Sequence, residues 1–302
     1  MINALTIDVE DYYMVSAFAD VVKFDDWQTY ESRVERNTWR ILDLLNENNV
    51  KATFFILGWI AERHPALIRE IQSQGHEIAS HGYNHRLIYN LSPQEFREDL
   101  RRSRDILQDL TGAPVIGYRA ASYSIVQQSI WALDILIEEG FMYDSSIFPV
   151  YHDRYGMPGA KRYPHVVVRP GGSIIEFPPA TLKVGTSVFP VAGGGYLRLF
   201  PLSLTRHAIR RLNEKEQQIA VVYLHPWEID PDQPRMQGSL LSRFRHYTNL
   251  DSTLVKLGAL LADFRFEPFR MLLERSVPAI HNSGNQAFHN HSLAGQENLS
   301  IR

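Results

Sequence analysis

The chain contains no cysteine. Disulfides and thiolate metal ligands are thereby excluded, and any metal site has to be built from imidazole and carboxylate. No run of about 18 uninterrupted apolar residues occurs, so no membrane span is expected. The formal net charge is only −3 over 302 residues, which gives no overall electrostatic reason to expect nucleic acid or an anionic membrane as a partner. Basic runs at 97–104 and 206–211 sit on helix-like segments and read as solvated faces. Met1-Ile2-Asn3-Ala4 leads directly into an apolar strand with no leader-like segment before it, so a cytoplasmic location is expected. What is present is ordinary for a globular protein: 44% hydrophobic and 22% charged residues, enough for a substantial core. The length suits one α/β barrel spanning 1–276. The His- and Asn-rich segment 277–302 lacks an apolar period and is expected to be a mobile tail.

Three stretches carry chemistry. In Ser80-His81-Gly82-Tyr83-Asn84-His85, two imidazoles four residues apart can point the same way from one turn or tight loop and share a divalent ion. Such a spacing alone also fits a solvated pair or a hydrogen-bonded core histidine. At the N-terminus, Ala4-Leu5-Thr6-Ile7-Asp8 reads as a strand ending in the acidic cluster Asp8-Val9-Glu10-Asp11. Parallel strands are buried on both faces, and buried carboxylates need partners, so the cluster argues for a site; a turn-capping Asp would account for one acid, not three. Strand alternation would put Asp8 and Glu10 on the same side. Downstream, the β-branched run Ile219–Leu224 stops at His225-Pro226-Trp227-Glu228, placing a third imidazole at a strand end, where the bland alternative is a barrel-rim histidine.

Between these stretches strands and helices alternate, which implies a parallel sheet. Helices are expected at about 33–48 (apolar positions Trp39, Ile41, Leu42, Leu45), 65–74, 93–110, 130–139, from 201, and 251–262. Ser92-Pro93-Gln94-Glu95 is a strong helix start. Strands are expected at 52–56, 115–118, 141–143 and 219–224, with a closing edge strand at 264–269. Residues 150–200, rich in Pro and Gly, predict antiparallel hairpins inserted at the barrel rim. The aromatic stretch Tyr12–Tyr30 reads as a long loop over the site, either offering ring faces for a ligand to stack on or packing as a lid. Gly193-Gly194-Gly195-Tyr196 lacks a phosphate-loop signature and implies a tight turn or close backbone approach.

Thr6-Ile7-Asp8, the hexapeptide 80–85, Tyr118-Arg119-Ala120-Ala121-Ser122-Tyr123 and Leu224-His225-Pro226 together resemble the ordered motifs of the polysaccharide deacetylase family (NodB homology, carbohydrate esterase 4). Asp8-Val9-Glu10-Asp11-Tyr12-Tyr13, Gly193–Tyr196 and His225–Glu228 are similar to the subfamily found beside exosortase and exopolysaccharide loci. The resemblance implies a distorted (β/α)7-type barrel with inserted β-hairpins at the rim. It implies Asp8 as general base, Arg119 as its orienting partner, the backbone N–H of Tyr123 at the oxyanion, and protonated His225 as donor to the leaving amine. Glu10, His81 and His85 form the expected metal set, with Asp11 as the alternative carboxylate if the chain turns at Val9; the ion expected is zinc, with cobalt, nickel or manganese possible. The family's adjacent aspartates are here separated by Val9, its proline after the arginine is replaced by Ala120-Ala121, and the tryptophan of the motif at Asp144-Ser145-Ser146 is absent. The expected activity is removal of N-acetyl groups from N-acetylhexosamine units of a polysaccharide or its precursor. The alternatives are a cyclic imide or small amide hydrolase on the same fold, and a non-catalytic carbohydrate-binding protein.

Overall fold

The computed structural model describes residues 1–152, 154–191 and 193–275; the expected tail lies outside the described residues. In chain order the elements are β1 (Ile2–Val9), α1 (Val34–Glu47), β2 (Thr53–Ile56), α2 (Gly58–Arg63), α3 (Pro65–Ser73), β3 (Glu77–Ser80), α4 (Pro93–Thr111), β4 (Gly117–Tyr118), α5 (Ala132–Glu138) and β5 (Tyr143–Asp144). There follow β6 (His165–Arg169), β7 (Gly172–Glu176), β8 (Thr181–Val184), β9 (Ser187–Pro190), α6 (Gly194–Leu199), α7 (Leu202–Glu214), β10 (Val221–Leu224), α8 (Leu240–Tyr247), α9 (Leu250–Asp263) and β11 (Arg265–Glu267).

Seven strands in the order β10-β1-β2-β3-β4-β5-β7 pair in parallel, each with the next. The chain beyond β7 then meets the other end of the row: Ala180 N–H donates to Val221 O at 3.0 Å, and Gly193 bridges Tyr223 in parallel.

 This contact closes the ring, so the fold is an α/β, distorted (β/α)7 barrel. β6 extends the sheet antiparallel to β7, β8 and β9 form a separate hairpin, and β11 adds to β1 in parallel. Both hairpins fall inside the Pro- and Gly-rich region. Among the described residues no helix is long and apolar enough to cross a membrane.

Local chemistry explains most of the elements. β1 is buried from Asn3 to Val9, as a strand paired on both sides and covered by helices must be. Ser92 caps α4 by accepting from Glu95 N–H, Glu95 returns the contact, and Gly112 ends the helix in the left-handed region at φ +63°. Caps of this kind contribute about 1 kcal/mol each. α1 buries Val34, Ile41, Leu42 and Leu45, but Trp39 is exposed: the inward stripe is completed by Asn37 and Thr38. β4 begins two residues later than expected, and β5 covers 143–144 rather than 141–143. Gly58 opens the short helix α2, and α8 had no counterpart among the expected helices.

Two glycines are dictated by aromatic rings crossing the backbone. A Cβ on Gly193 would lie 2.0 Å from Tyr223 Cδ1, so the close approach expected of the triple glycine is made to a ring of the protein itself. A Cβ on Gly117 would lie 1.9 Å from Tyr143 Cζ, and Tyr143 is fully buried with its hydroxyl donated to Glu77 at 2.9 Å. Gly117→Ala is therefore expected to destabilise the fold by about 3 kcal/mol, the upper end of the overpacking range. Urea unfolding checks this; a loss below about 0.5 kcal/mol, the range of neutral surface changes, would show that the ring moves freely.

Candidate active site

The site is assembled at the C-terminal ends of the parallel strands. Asp8, near the C-terminal end of β1, is buried and accepts from Arg119 Nη1 at 2.5 Å. Arg119 follows β4 and has no exposed surface, so it is a buried partner and not a surface ion pair. Its other donors are also used: Nη1 to Thr6 Oγ1 at 2.7 Å, Nε to Ser145 O at 3.1 Å and Nη2 to Ser145 Oγ at 2.8 Å. Ser146 Oγ accepts from Ala120 N–H at 2.7 Å and donates to Asp144 at 2.5 Å, so the Asp144-Ser145-Ser146 stretch fixes both the arginine and the chain after it.

His81 stands just beyond β3, and its Nδ1 is 2.7 Å from Arg119 O. A carbonyl oxygen only accepts, so Nδ1 carries the proton and Nε2 is left as a lone-pair donor. The loop that follows turns through Gly82 at φ +76° and His85 at φ +57°. It is pinned by Gly58 N–H to Gly82 O, Trp59 N–H to Tyr83 O and Tyr83 N–H to Asp99 Oδ2. The pair is thus held by a tight loop, with ring centroids 5.4 Å apart. Glu10, His81 and His85 each offer a ligand atom, all within 4.8 Å of one another, and all three residues are buried. Two imidazoles and a carboxylate gathered in this way, one of them with its tautomer fixed by a backbone carbonyl, fit a divalent metal.

Asp11, the alternative carboxylate, is committed elsewhere. One oxygen accepts from Tyr12 N–H; the other accepts from Ser32 Oγ at 3.0 Å, Arg33 N–H at 2.7 Å and Val34 N–H at 3.0 Å. It tethers the start of α1, which is the turn-capping role that one acid of the cluster was able to fill.

His225 closes the site from β10. Its Nε2 lies 3.1 Å from Glu10 Oε1 and 3.8 Å from Asp8 Oδ2, while Nδ1 is 2.9 Å from Glu228 Oε2. Glu228 in turn accepts from Arg198 Nε at 2.7 Å. Burial works against a charged His225, but Glu10 and Glu228 outweigh it and push its pKa up to about 9. Burial likewise opposes ionised Glu228, and Arg198 with His225 holds it down at about 2. Burial raises Glu10 to about 7 against the pull of His225, and lowers His81 to about 4. His85 is lowered well below its ordinary value, again by burial first.

Tyr123 reaches the site through its ring. Ser122 and Tyr123 both take left-handed φ values, +50° and +54°, unusual for residues with a Cβ. Tyr123 N–H is donated to Ala120 O at 3.0 Å, so in this conformation the donor expected at an oxyanion is used within its own turn. The cavity beside Glu10, His85 and His225 has a volume of about 330 Å³ and is lined by the rings of Tyr123, Tyr155, Tyr196, Tyr223 and Trp227. Of the two readings of Tyr12–Tyr30, the packed one holds for most of its rings: Tyr13 stacks on Tyr30, and Trp27 sets its edge against Trp59. From that loop only Val15, Ser16 and Ala17 line the cavity.

Glu228, Arg198 and Ser145 had no assigned part in the sequence reading. Glu228 was signalled, since it lies three residues after His225 across a proline turn. Arg198 lies in a helix opened by the triple glycine, and nothing local in the sequence points it at Glu228.

Part of the chain, less than half of it, matches the polysaccharide deacetylase family. Residues 21–134 match the family model described as Polysaccharide deacetylase, and residues 145–274 match a second model, described as Domain of unknown function (DUF3473), which is consistent with the exosortase-associated subfamily. A peptidoglycan-N-acetylglucosamine deacetylase of Bacillus cereus is 40% identical over 75 residues, which are 25% of this chain and 27% of that protein. The match thus spans about a quarter of the relative's own length. Among solved structures, a putative polysaccharide deacetylase from Mycobacterium smegmatis superposes with a TM-score of 0.56 at 24% identity, covering 90% of this chain and 88% of that one. A probable polysaccharide deacetylase from Pseudomonas aeruginosa gives a TM-score of 0.58 at 16% identity, covering 90% and 89%. These likenesses establish the barrel fold.

The buried Asp8–Arg119 pair generates a stability test. Arg119→Ala leaves an uncompensated carboxylate in the core and is expected to cost about 3–5 kcal/mol. Denaturant unfolding measures it, and a loss under about 1 kcal/mol, the value of an exposed pair, would contradict the burial argument.

Proposed function

We propose that this chain is a metal-dependent amide hydrolase that removes N-acetyl groups from N-acetylhexosamine units of a polysaccharide or its precursor. The observation that carries the reading is the donor set Glu10, His81 and His85 gathered beside a buried carboxylate, Asp8, and a histidine, His225. When bound there, a divalent metal supplies Lewis acidity toward the acetyl carbonyl and lowers the pKa of water. Zinc suits two imidazoles and a carboxylate, and cobalt, nickel or manganese are the substitutes to try.

The chain's own groups divide the proton transfers. Asp8 is held in place by Arg119 and takes the proton from the attacking water as the C–O bond forms. His225 enters protonated, its Nδ1–H fixed on Glu228, and gives its Nε2 proton to the amine nitrogen as the C–N bond breaks. Without that proton the amine is a poor leaving group. Glu228 and Arg198 act as positioning residues for the His225 ring. An oxyanion contact from Tyr123 N–H would require its bond to Ala120 O to be given up as substrate enters. The tyrosine and tryptophan rings of the cavity offer flat apolar faces of the kind on which sugar rings pack.

Acetate release from N-acetylglucosamine oligomers, with added zinc or cobalt and after chelation, tests the reading. Activity is expected to require metal, to vanish in His81→Ala, and to fall roughly 10²–10⁴-fold in Asp8→Asn and in His225→Ala, the range for loss of a general acid or base. Activity that survives chelation would overturn the mechanism. Turnover of small cyclic imides with none of acetylated sugars would overturn the substrate.

A further inference from the structure

The helix α8 presents its apolar residues to solvent. Its inward positions are Ser242 and His246, whereas Leu240, Leu241 and Phe244 are 83%, 55% and 58% exposed. Isolated exposed apolar side chains are unremarkable, but three within one and a half turns make a contiguous patch. The segment 233–250 contains three arginines, Arg235, Arg243 and Arg245, and no acid, a local bias hidden by the chain's net charge of −3. All three arginines are exposed, and Arg235 lies over the Tyr247 ring at 4.3 Å, which brings it alongside the helix. Leucines and a phenylalanine flanked by arginines on one exposed helix are the composition of a segment that rests in the headgroup region of a bilayer. The same helix reaches the cavity through Ser242, Arg245 and His246.

We infer that α8 docks this protein on an anionic phospholipid surface, with Leu240, Leu241 and Phe244 entering the headgroup layer and Arg235 and Arg243 meeting the lipid phosphates. Docked in this way, the cavity mouth lies beside the bilayer, within reach of saccharides carried on lipid. That consequence rests on the deacetylase reading; the docking itself does not.

Sedimentation of the full chain with vesicles of phosphatidylcholine alone, or of phosphatidylcholine doped with phosphatidylglycerol, tests the docking without any activity assay. Binding to the anionic vesicles is expected, weakened by salt, with little binding to the neutral ones. Leu240→Asp combined with Phe244→Asp should lower the partition roughly tenfold or more, and Arg243→Glu should lower it by a smaller factor. Because these side chains lie outside the cavity lining, both variants should release acetate from short soluble oligomers as the parent does. Absence of wild-type binding to anionic vesicles would overturn the proposal, as would undiminished binding of the double variant. A dimer in solution that the double variant dissociates, with no vesicle binding, would overturn it in favour of a contact between copies.

Discussion

The pairing of Asp8 with Arg119 in the closed interior of the barrel constrains everything around it. A carboxylate and a guanidinium without solvent are tolerable only when their remaining hydrogen-bonding positions are filled. Thr6, Ser145 and the Ser145 carbonyl do this for the arginine, and in doing so they tie β1, β4 and β5 together at one end. The same arginine's carbonyl fixes the His81 tautomer, so the orientation of a metal-type ligand and that of the proposed base depend on one residue.

A second chain of charges runs from the other side. Arg198, Glu228, His225 and Glu10 follow one another at 2.7, 2.9 and 3.1 Å, alternating in sign when His225 is protonated. Arg198 also donates to the backbone carbonyls of Arg245, His246 and Thr248. The end of α8 and the ring of His225 are therefore held through a common guanidinium, which links the cavity's outer wall to its chemistry. Trp227 lies between the His225 and His246 rings, stacked on both, and stiffens the same connection.

Features specified by neighbouring residues were legible in the sequence. The cap at Ser92 and Glu95 marked the start of α4, and the strand-end acids and paired histidines marked where β1 and β3 reach the site. Alternation along β1 put Asp8 and Glu10 on one side, and the acid left over, Asp11, took the structural role of tethering α1. Features specified across the fold were not legible. Arg198 and Glu228 are 30 residues apart, the aromatic loop's inward packing depends on Trp59 and other distant partners, and Gly193 is small because Tyr223 crosses it. α8 escaped notice for a different reason: its apolar side chains face outward and its buried ones are Ser242 and His246, so the usual inward period is missing.

The account stands on Glu10, His81 and His85 sharing one ion. Anomalous diffraction from zinc-loaded crystals tests this most directly. The account predicts a peak roughly 2.0–2.2 Å from an imidazole nitrogen of each histidine and from a Glu10 oxygen. A peak coordinated by Asp11 instead, or no peak among these three side chains under full zinc loading, would contradict it.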